Sequence, residues 1–248
     1  SPELHNYWIK NNNIDAIYEK QKINEAELQN LIFEIKEKKI DGVNVTVPFK
    51  KKIIPYLDNL SKEAKNTQSV NTIYLKDDKV IGHNTDIDGF ELCIKNSKHD
   101  LMGKKILILG AGGVVPSIIF ALNKMKVLKI TIMNRTKAKA KNLRGLFKNV
   151  VVVNWGEIPD FDMIINATSI GLNKDDELGL DLTKVGKNKF FYDVIYNPKE
   201  TNFLKTARKQ GCFAENGKLM FIYQALAAFK VWHGFKPEIN EETIRLLD

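Results

Sequence analysis

Lys104-Lys105-Ile106-Leu107-Ile108-Leu109-Gly110-Ala111-Gly112-Gly113, with the apolar run beyond it, is the stretch that decides the fold. Lys104 to Leu109 closes on an unbroken apolar run, Ile106 to Leu109, the pattern of a strand covered on both faces of a parallel sheet. The glycines then permit a tight bend, and the apolar run that follows has the composition of a helix. Pro116 lies near that helix start, where a missing N–H costs little. Strand, glycine turn and helix together are the context in which Gly-x-Gly signals a pyrophosphate held by backbone N–H groups at a helix N-terminus. Gly110, Ala111, Gly112 and Gly113 are therefore candidate dinucleotide-binding residues. Val115 stands where the usual third glycine would fall.

Working outward toward the C terminus, Lys129 to Met133 reads as the second strand and ends at Asn134-Arg135-Thr136. A carboxylate there would bind the ribose 2′-hydroxyl of NAD, and none is present. Arg135, followed by Lys137, Lys139 and Lys141, suits a 2′-phosphate and hence NADP. The competing reading is an exposed basic helix. Val150 to Val153, Met163 to Ala167 and Phe190 to Ile195 continue a parallel sheet. Asn166-Ala167-Thr168-Ser169 falls at a strand end, where it can line the nicotinamide side of a crevice, and Tyr196 holds the same kind of place one strand further on. Asn216-Gly217 closes this unit. Lys218 to His233 is a long apolar helix with Gln224 as its polar exception, either solvated or turned into a cleft.

Toward the N terminus, residues 7 to 20 predict a helix and then a strand around Ala16-Ile17-Tyr18. Asn24 and Glu27 form a capping box for a helix whose apolar face is Leu28, Leu31, Ile32 and Ile35. Asp41-Gly42 leads into Val43-Asn44-Val45-Thr46-Val47-Pro48-Phe49-Lys50. Alternating valines make this a half-buried strand through Val47, closed by Pro48, with Lys50 just past its end. Read alone, Lys50-Lys51-Lys52 is a solvated charge run. Ile53 to Leu60 reads as a short helix interrupted at Pro55, and Ser61 to Thr67 as a helical turn. Thr72 to Leu75 and Val80 to His83 form a hairpin across Asp77-Asp78, which sets Asn71 opposite Asn84 and brings Asp86 to the same end. Asp86 is either a helix cap or a functional carboxylate. Residues 90 to 100 are helical and bridge to the next unit.

The totals narrow the function classes. With 248 residues, 44% hydrophobic and 27% charged, the chain has a soluble globular composition with room for two modest domains. No stretch approaches a membrane span, and Ser1-Pro2-Glu3-Leu4-His5 is not a signal peptide, so a cytoplasmic location is expected. Cys93 and Cys212 have no metal-type spacing, and no metal is implied. The formal charge of +8 is spread along the chain without any nucleic-acid motif, so nucleic acid is not an expected partner. A monomer and a homodimer both remain open.

In these motifs the chain resembles the shikimate dehydrogenases. The matching stretches are Ser1-Pro-x-x-His-Asn, Asn44-Val-Thr-Val-Pro-Phe-Lys50, Val70-Asn71-Thr72, Asn84-Thr-Asp86, Gly110-Ala-Gly-Gly113, Asn134-Arg-Thr136, Asn166-Ala-Thr-Ser169 and Gln224-Ala225, in the family's order. The resemblance implies an α/β chain of two domains: a substrate-binding domain over 1–88 and 218–248, and a Rossmann-type NADP-binding domain with a parallel sheet over 89–217. It implies NADPH-dependent reduction of 3-dehydroshikimate to shikimate, a step toward aromatic amino acids, with Lys50 and Asp86 as the catalytic pair. Ser1, Thr46, Asn71, Tyr196 and Gln224 would hold the substrate. Gly110 to Gly113, Asn134, Arg135, Thr136, Lys139, Thr168, Ser169 and Gly217 would face the cofactor. The family usually has a strand, a glycine-rich turn and a further serine before Ser1, so the chain is expected to be shortened there. Ile87 and Leu219 replace usual glycines, and Lys139 a common arginine. The rival readings are a quinate/shikimate enzyme tolerant of NAD and a non-catalytic NADP-binding regulator.

Overall fold

The structure, a computed structural model, describes all residues from Ser1 to Asp248. Its contacts divide the chain into two compact units, Ser1–Cys93 with Phe221–Asp248, and Ile94–Met220.

The first unit begins with α1 (Pro2–Asn11) and α2 (Leu28–Lys36), then β1 (Gly42–Asn44), α3 (Phe49–Lys52), β2 (Asn59–Leu60), α4 (Lys62–Thr67), β3 (Thr72–Lys76), β4 (Lys79–His83) and α5 (Asp86–Asn96). The four strands form one mixed sheet in the order β1-β3-β4-β2, with only the β2–β4 pairing parallel. Leu28, Ile32 and Ile35 of α2 pack with Val45, Ile53, Val70, Ile73 and Val80 in a single apolar cluster. The face expected for α2 is thus the buried one, and Asn24 and Glu27 do form the capping box ahead of it.

In the second unit, β5 (Lys105–Leu109), α6 (Val115–Lys124), β6 (Lys129–Met133), α7 (Lys137–Leu146), β7 (Val150–Val153), β8 (Met163–Asn166), β9 (Phe190–Asp193), α8 (Asn202–Lys209) and β10 (Phe213–Asn216) follow in order. All six strands run parallel, ordered β10-β9-β8-β5-β6-β7. The strand order reverses between β5 and β8, and such a switch point leaves a crevice at the carboxyl ends of the strands where ligands bind. Leu107, Leu109, Met133, Ile164, Phe191 and Leu204 anchor the core against the sheet. The chain then enters α9 (Lys218–His233) and ends with α10 (Glu241–Arg245). Trp232 of α9 donates its indole N–H to the Ile73 carbonyl at 3.0 Å. Gly42 makes room for it, since a Cβ there would lie 2.2 Å from the indole nitrogen.

Several expectations are corrected. No strand forms at residues 16–18: Ile17 is exposed, and Tyr18 is held by a pair of bonds to the Asn6 side chain instead of by a sheet neighbour. The strand read through Val47 stops at Asn44, because the chain turns between Thr46 and Phe49, leaving Val45 buried and Val47 65% exposed. The helix expected over Ile53 to Leu60 is instead α3 starting at Phe49, one 3-10 turn over Ile54–Tyr56, and β2, whose pairing with β4 overrides the local pattern. Strand β10 and helices α8 and α10 were not anticipated.

Candidate active site

In the first unit, the turn at Thr46–Phe49 places Lys50 in the first turn of α3, while the β3–β4 hairpin delivers Asn71 and Asp86 to one end of the sheet. Phe49 N–H donates to the Thr46 carbonyl at 2.9 Å, and Val70 N–H donates to the Lys50 carbonyl at 2.8 Å, so the lysine backbone is tied directly beside β3. The Lys50 ammonium then lies 2.5 Å from Asp86 Oδ2, with the two side chains only 15% and 9% exposed. Lys51 and Lys52, its neighbours in sequence, are exposed, and Lys52 pairs with Glu25 on the surface.

Asp86 opens α5, where the helix N-terminus favours a carboxylate. Its other oxygen, Oδ1, accepts from Asn71 Nδ2 at 2.9 Å. Asn71 is itself fully engaged: Nδ2 also donates to Thr85 Oγ1 at 3.0 Å, and Oδ1 accepts from Thr85 N–H at 2.8 Å and Thr72 Oγ1 at 3.0 Å. Asn84 Oδ1 accepts from Asp86 N–H at 3.1 Å, and Asn84 Nδ2 donates to Thr67 Oγ1 and the Ser69 carbonyl. Thr67, Ser69, Asn71, Thr72, Asn84, Thr85 and Asp86 are all buried, so the carboxylate sits on a bonded polar floor. Such a floor holds side chains in one geometry because every alternative leaves a buried group unpaired.

Gln224 joins this cluster from α9. Asn71 Nδ2 approaches its Oε1 at 3.5 Å, the limit of a hydrogen bond, and its Nε2 donates to the Phe221 carbonyl at 2.8 Å. The glutamine is therefore turned inward, not simply solvated. Thr46 is exposed on the turn that leads to Lys50. The Ser1 hydroxyl bonds to Glu3 and not to the cluster. Asn44, absent from the expected site, supports it from beneath: its Nδ2 donates to the Asn71 carbonyl at 3.0 Å and to Thr72 Oγ1 at 3.1 Å, and Tyr18 donates its hydroxyl to Asn44 Oδ1 at 2.8 Å. Burial pushes the Tyr18 phenol up to about 12, so it remains a donor.

The second unit builds a separate site at the carboxyl ends of β5, β6, β8 and β9. Gly110 follows β5 with φ at +103°, and a Cβ there would lie 2.9 Å from the Ala167 carbonyl. Glycine is thus required twice, for its dihedral and for the close passage of the 167–169 loop. Gly112 and Gly113 are exposed ahead of α6, and Val115 is buried as the first residue of that helix. Asn134 Nδ2 donates to the Thr136 carbonyl at 2.7 Å, shaping the turn after β6, while Arg135 and Lys139 are exposed. Thr168 donates its hydroxyl to Asn166 Oδ1 at 2.7 Å, and Ser169 beside it is exposed. Tyr196 is half-buried after β9. Gly217 is held tightly, since a Cβ would fall 2.0 Å from the Val194 carbonyl oxygen. Asp193, at the end of β9, was not anticipated. Burial raises its carboxyl to about 6, against hydrogen bonds from Thr201, Ile195 and Asn166 that pull the other way.

These residues fit a phosphorylated dinucleotide. A side chain at 110 would fill the space that the glycine leaves, a helix N-terminus faces the turn, and the second strand ends in an exposed arginine with no carboxylate. The groups of His, Cys, Asp and Glu include none arranged to hold a metal ion. No helix is long and apolar enough to cross a membrane.

A mixed-sheet unit carrying a buried lysine–carboxylate pair, together with a doubly wound unit carrying a dinucleotide turn, defines an α/β dehydrogenase-type protein. Residues 1–73 match the family model of the shikimate dehydrogenase substrate binding domain, and residues 92–174 that of shikimate / quinate 5-dehydrogenase. The shikimate dehydrogenase (NADP(+)) of Pelagibacter ubique is 57% identical over 248 residues, covering 100% of this chain and 94% of the relative. Among solved structures, the shikimate dehydrogenase of Aquifex aeolicus superposes with a TM-score of 0.90 at 36% identity, covering 99% of this chain and 91% of that one. The Thermus thermophilus enzyme, solved in complex with NADP(H) and shikimate, gives a TM-score of 0.90 at 28% identity over 99% of this chain and 94% of that one. The chain belongs to the shikimate dehydrogenase family.

Proposed function

We propose that this chain catalyses the reversible NADPH-dependent reduction of 3-dehydroshikimate to shikimate, with Lys50 and Asp86 as its acid–base pair. The observation that carries the reading is the 2.5 Å contact between Lys50 Nζ and Asp86 Oδ2, with Asn71 fixing the other carboxylate oxygen at 2.9 Å, in a member of this family. NADPH supplies the hydride that adds to the ketone carbon.

Negative charge then develops on the ketone oxygen, and it needs a nearby donor. Lys50 fills that role: one N–H of its ammonium points at Asp86 and two remain for the substrate. It gives the proton as the oxygen becomes a hydroxyl, and regains one from solvent, so that ketone, hydride and proton balance as alcohol. Asp86 holds the ammonium in place and accepts from the neighbouring substrate hydroxyl. Asn71 keeps that carboxylate from rotating, and Gln224 and Thr46 offer further polar contacts, with Ser1 and Tyr196 completing the substrate set. Gly110 to Gly113 would cradle the pyrophosphate, Asn134, Arg135, Thr136 and Lys139 the ribose phosphate, and Thr168, Ser169 and Gly217 the remainder of the cofactor. In this reading residues 1–88 and 218–248 bind substrate and residues 89–217 bind NADP. The enzyme is cytoplasmic and acts as a monomer or homodimer, which light scattering in solution distinguishes.

The test is NADPH oxidation by purified protein with 3-dehydroshikimate, run beside NADH, and in reverse with shikimate and quinate. Turnover of shikimate with NADP far above all other combinations is expected. Because residues 92–174 match the shikimate / quinate 5-dehydrogenase family, one competing outcome is specific: comparable turnover of quinate with NAD would place the chain with the broader enzymes. Cofactor binding with no turnover of any pair would make it a regulator and sink the proposal.

A further inference from the structure

Asp193 is a carboxylate buried at the carboxyl end of β9, and nothing in the mechanism above uses it. It is wholly inaccessible, as is Asn166, its register partner across β8 and β9. Asp193 Oδ1 accepts from Asn166 Nδ2 at 3.1 Å and from Ile195 N–H at 3.0 Å, and Oδ2 accepts from Thr201 Oγ1 at 2.6 Å. One carboxylate thereby ties the loop after β8 to the loop after β9.

The chemistry of the partners gives this clamp a direction. A carboxylate only accepts, so Asn166 must present its NH₂ to Asp193. The same NH₂ donates to the Ile170 carbonyl at 3.0 Å. Asn166 Oδ1 is then forced toward Thr168, where it accepts from the hydroxyl at 2.7 Å and from the backbone N–H at 3.2 Å. With its proton committed to Asn166, the Thr168 oxygen accepts from Ile170 N–H at 3.0 Å. The loop shaped in this way carries the Ala167 carbonyl that passes against Gly110. Every step in the relay has one polarity, which the acceptor at 193 sets together with the Ile170 carbonyl and the Thr168 N–H.

We propose that Asp193 is a positioning residue for the dinucleotide site: as an acceptor-only group it helps fix the amide of Asn166, and through it the hydroxyl and loop of Thr168. This rests on the reading of Thr168 as a cofactor residue. Asp193→Asn keeps the shape and removes the acceptor-only group, leaving the Ile170 carbonyl and the Thr168 N–H as the one-way partners of Asn166. NADPH is titrated by its fluorescence into wild type, Asp193→Asn, Thr168→Val and the double variant, well above the pH of about 6 at which Asp193 titrates. Adenosine 2′,5′-bisphosphate, which lacks the nicotinamide half, is titrated in parallel.

The expected result is an NADPH affinity about tenfold weaker in each single variant, the equivalent of one hydrogen bond, with no further loss in the double. The bisphosphate should bind all four proteins alike. If Thr168→Val weakens NADPH and Asp193→Asn does not, the proposal is wrong while the reading of Thr168 stands. If Thr168→Val binds NADPH normally, that reading fails and the proposal goes with it. Equal weakening of both ligands by Asp193→Asn would mean a general loss of structure and also overturns it. Should Asp193→Asn not fold, Asp193→Ser is judged by the same outcomes.

Discussion

Replacing Lys50 by methionine removes the proposed proton donor while leaving the bulk of its aliphatic stem. General acid assistance contributes roughly 10²–10⁴ in rate, so kcat should fall by that factor, about 2.7–5.5 kcal/mol of transition-state stabilisation. The KM for 3-dehydroshikimate should move far less, because proton transfer acts in the transition state. The structure also bounds the effect on folding. Asp86 loses its cation but keeps Asn71 Nδ2 at 2.9 Å, and the bond from Val70 N–H to the carbonyl of residue 50 is untouched. Breaking a buried ion pair costs about 3–5 kcal/mol, and a site still 15% exposed on the lysine side should fall at or below the low end. Steady-state kinetics, thermal unfolding and NADPH titration on one preparation separate these effects. Lys51→Ala and Lys52→Ala are the controls, since Lys51 is exposed and Lys52 joins only a surface pair, worth about 0–1 kcal/mol. Lys50→Met with near wild-type kcat would refute the catalytic role, and an equal loss in either control would refute the register that singles out Lys50.

Three further outcomes are expected. Arg135→Ala should weaken NADPH binding by about ten- to a hundredfold and leave NADH nearly unchanged, because only the former carries the 2′-phosphate; equal weakening of both would move Arg135 to the shared part of the cofactor. Gly217→Ala would place a Cβ 2.0 Å from the Val194 carbonyl oxygen, and such overpacking against backbone costs roughly 1–3 kcal/mol or more. An unchanged melting temperature in that variant would contradict the close approach. Asp193, raised from 3.8 to about 6 in the fold, binds its proton more tightly folded than unfolded, so its contribution is full below about 4 and is lost as pH rises through about 6. Asp193→Asn should therefore gain on wild type across that window by up to about 3 kcal/mol in urea unfolding, and a pH-independent difference would be the contrary result.

The parts of this molecule that were legible in sequence are those where local chemistry and tertiary packing agree. Lys129–Met133 forms β6 as read, because an apolar run between glycine-turn helix and basic turn has no competing structure. The capping box at Asn24 and the apolar face of α2 hold for the same reason. Tertiary partners decided the rest. Phe213-Ala214-Glu215-Asn216 carries no strand signal, yet pairs with β9 because an edge place was open to it. Ala16-Ile17-Tyr18 has strand composition but no neighbour to pair with. Asp193 was invisible as a functional candidate because its importance lies in a register partner far back in sequence, Asn166, whose own amide is only oriented in three dimensions. An aspartate closing an otherwise aromatic strand, Phe190-Phe191-Tyr192, was the signal available.

The catalytic pair and the hairpin register are a single constraint. Asp77 and Asp78 both adopt left-handed backbone, φ +50° and +55°, the conformation of a two-residue turn whose twist matches the strands it joins. That turn sets Thr72 against His83, and the ladder continues with Asn71 N–H donating to the His83 carbonyl at 3.0 Å. Because side chains alternate between faces, a slip of one residue would turn Asn71 away from Asp86 and put Val70 or Thr72 in its place. Gly82 guards the same register: a side chain there would meet Leu57 at 2.5 Å and Val70 at 2.8 Å. The segment that carries Lys50 is pinned to either side of Asn71, through Val45 N–H to the Asn71 carbonyl and Val70 N–H to the Lys50 carbonyl, both at 2.8 Å. A hairpin in any other register would move Asn71 and the lysine's anchor together, and Asp86 would keep neither partner.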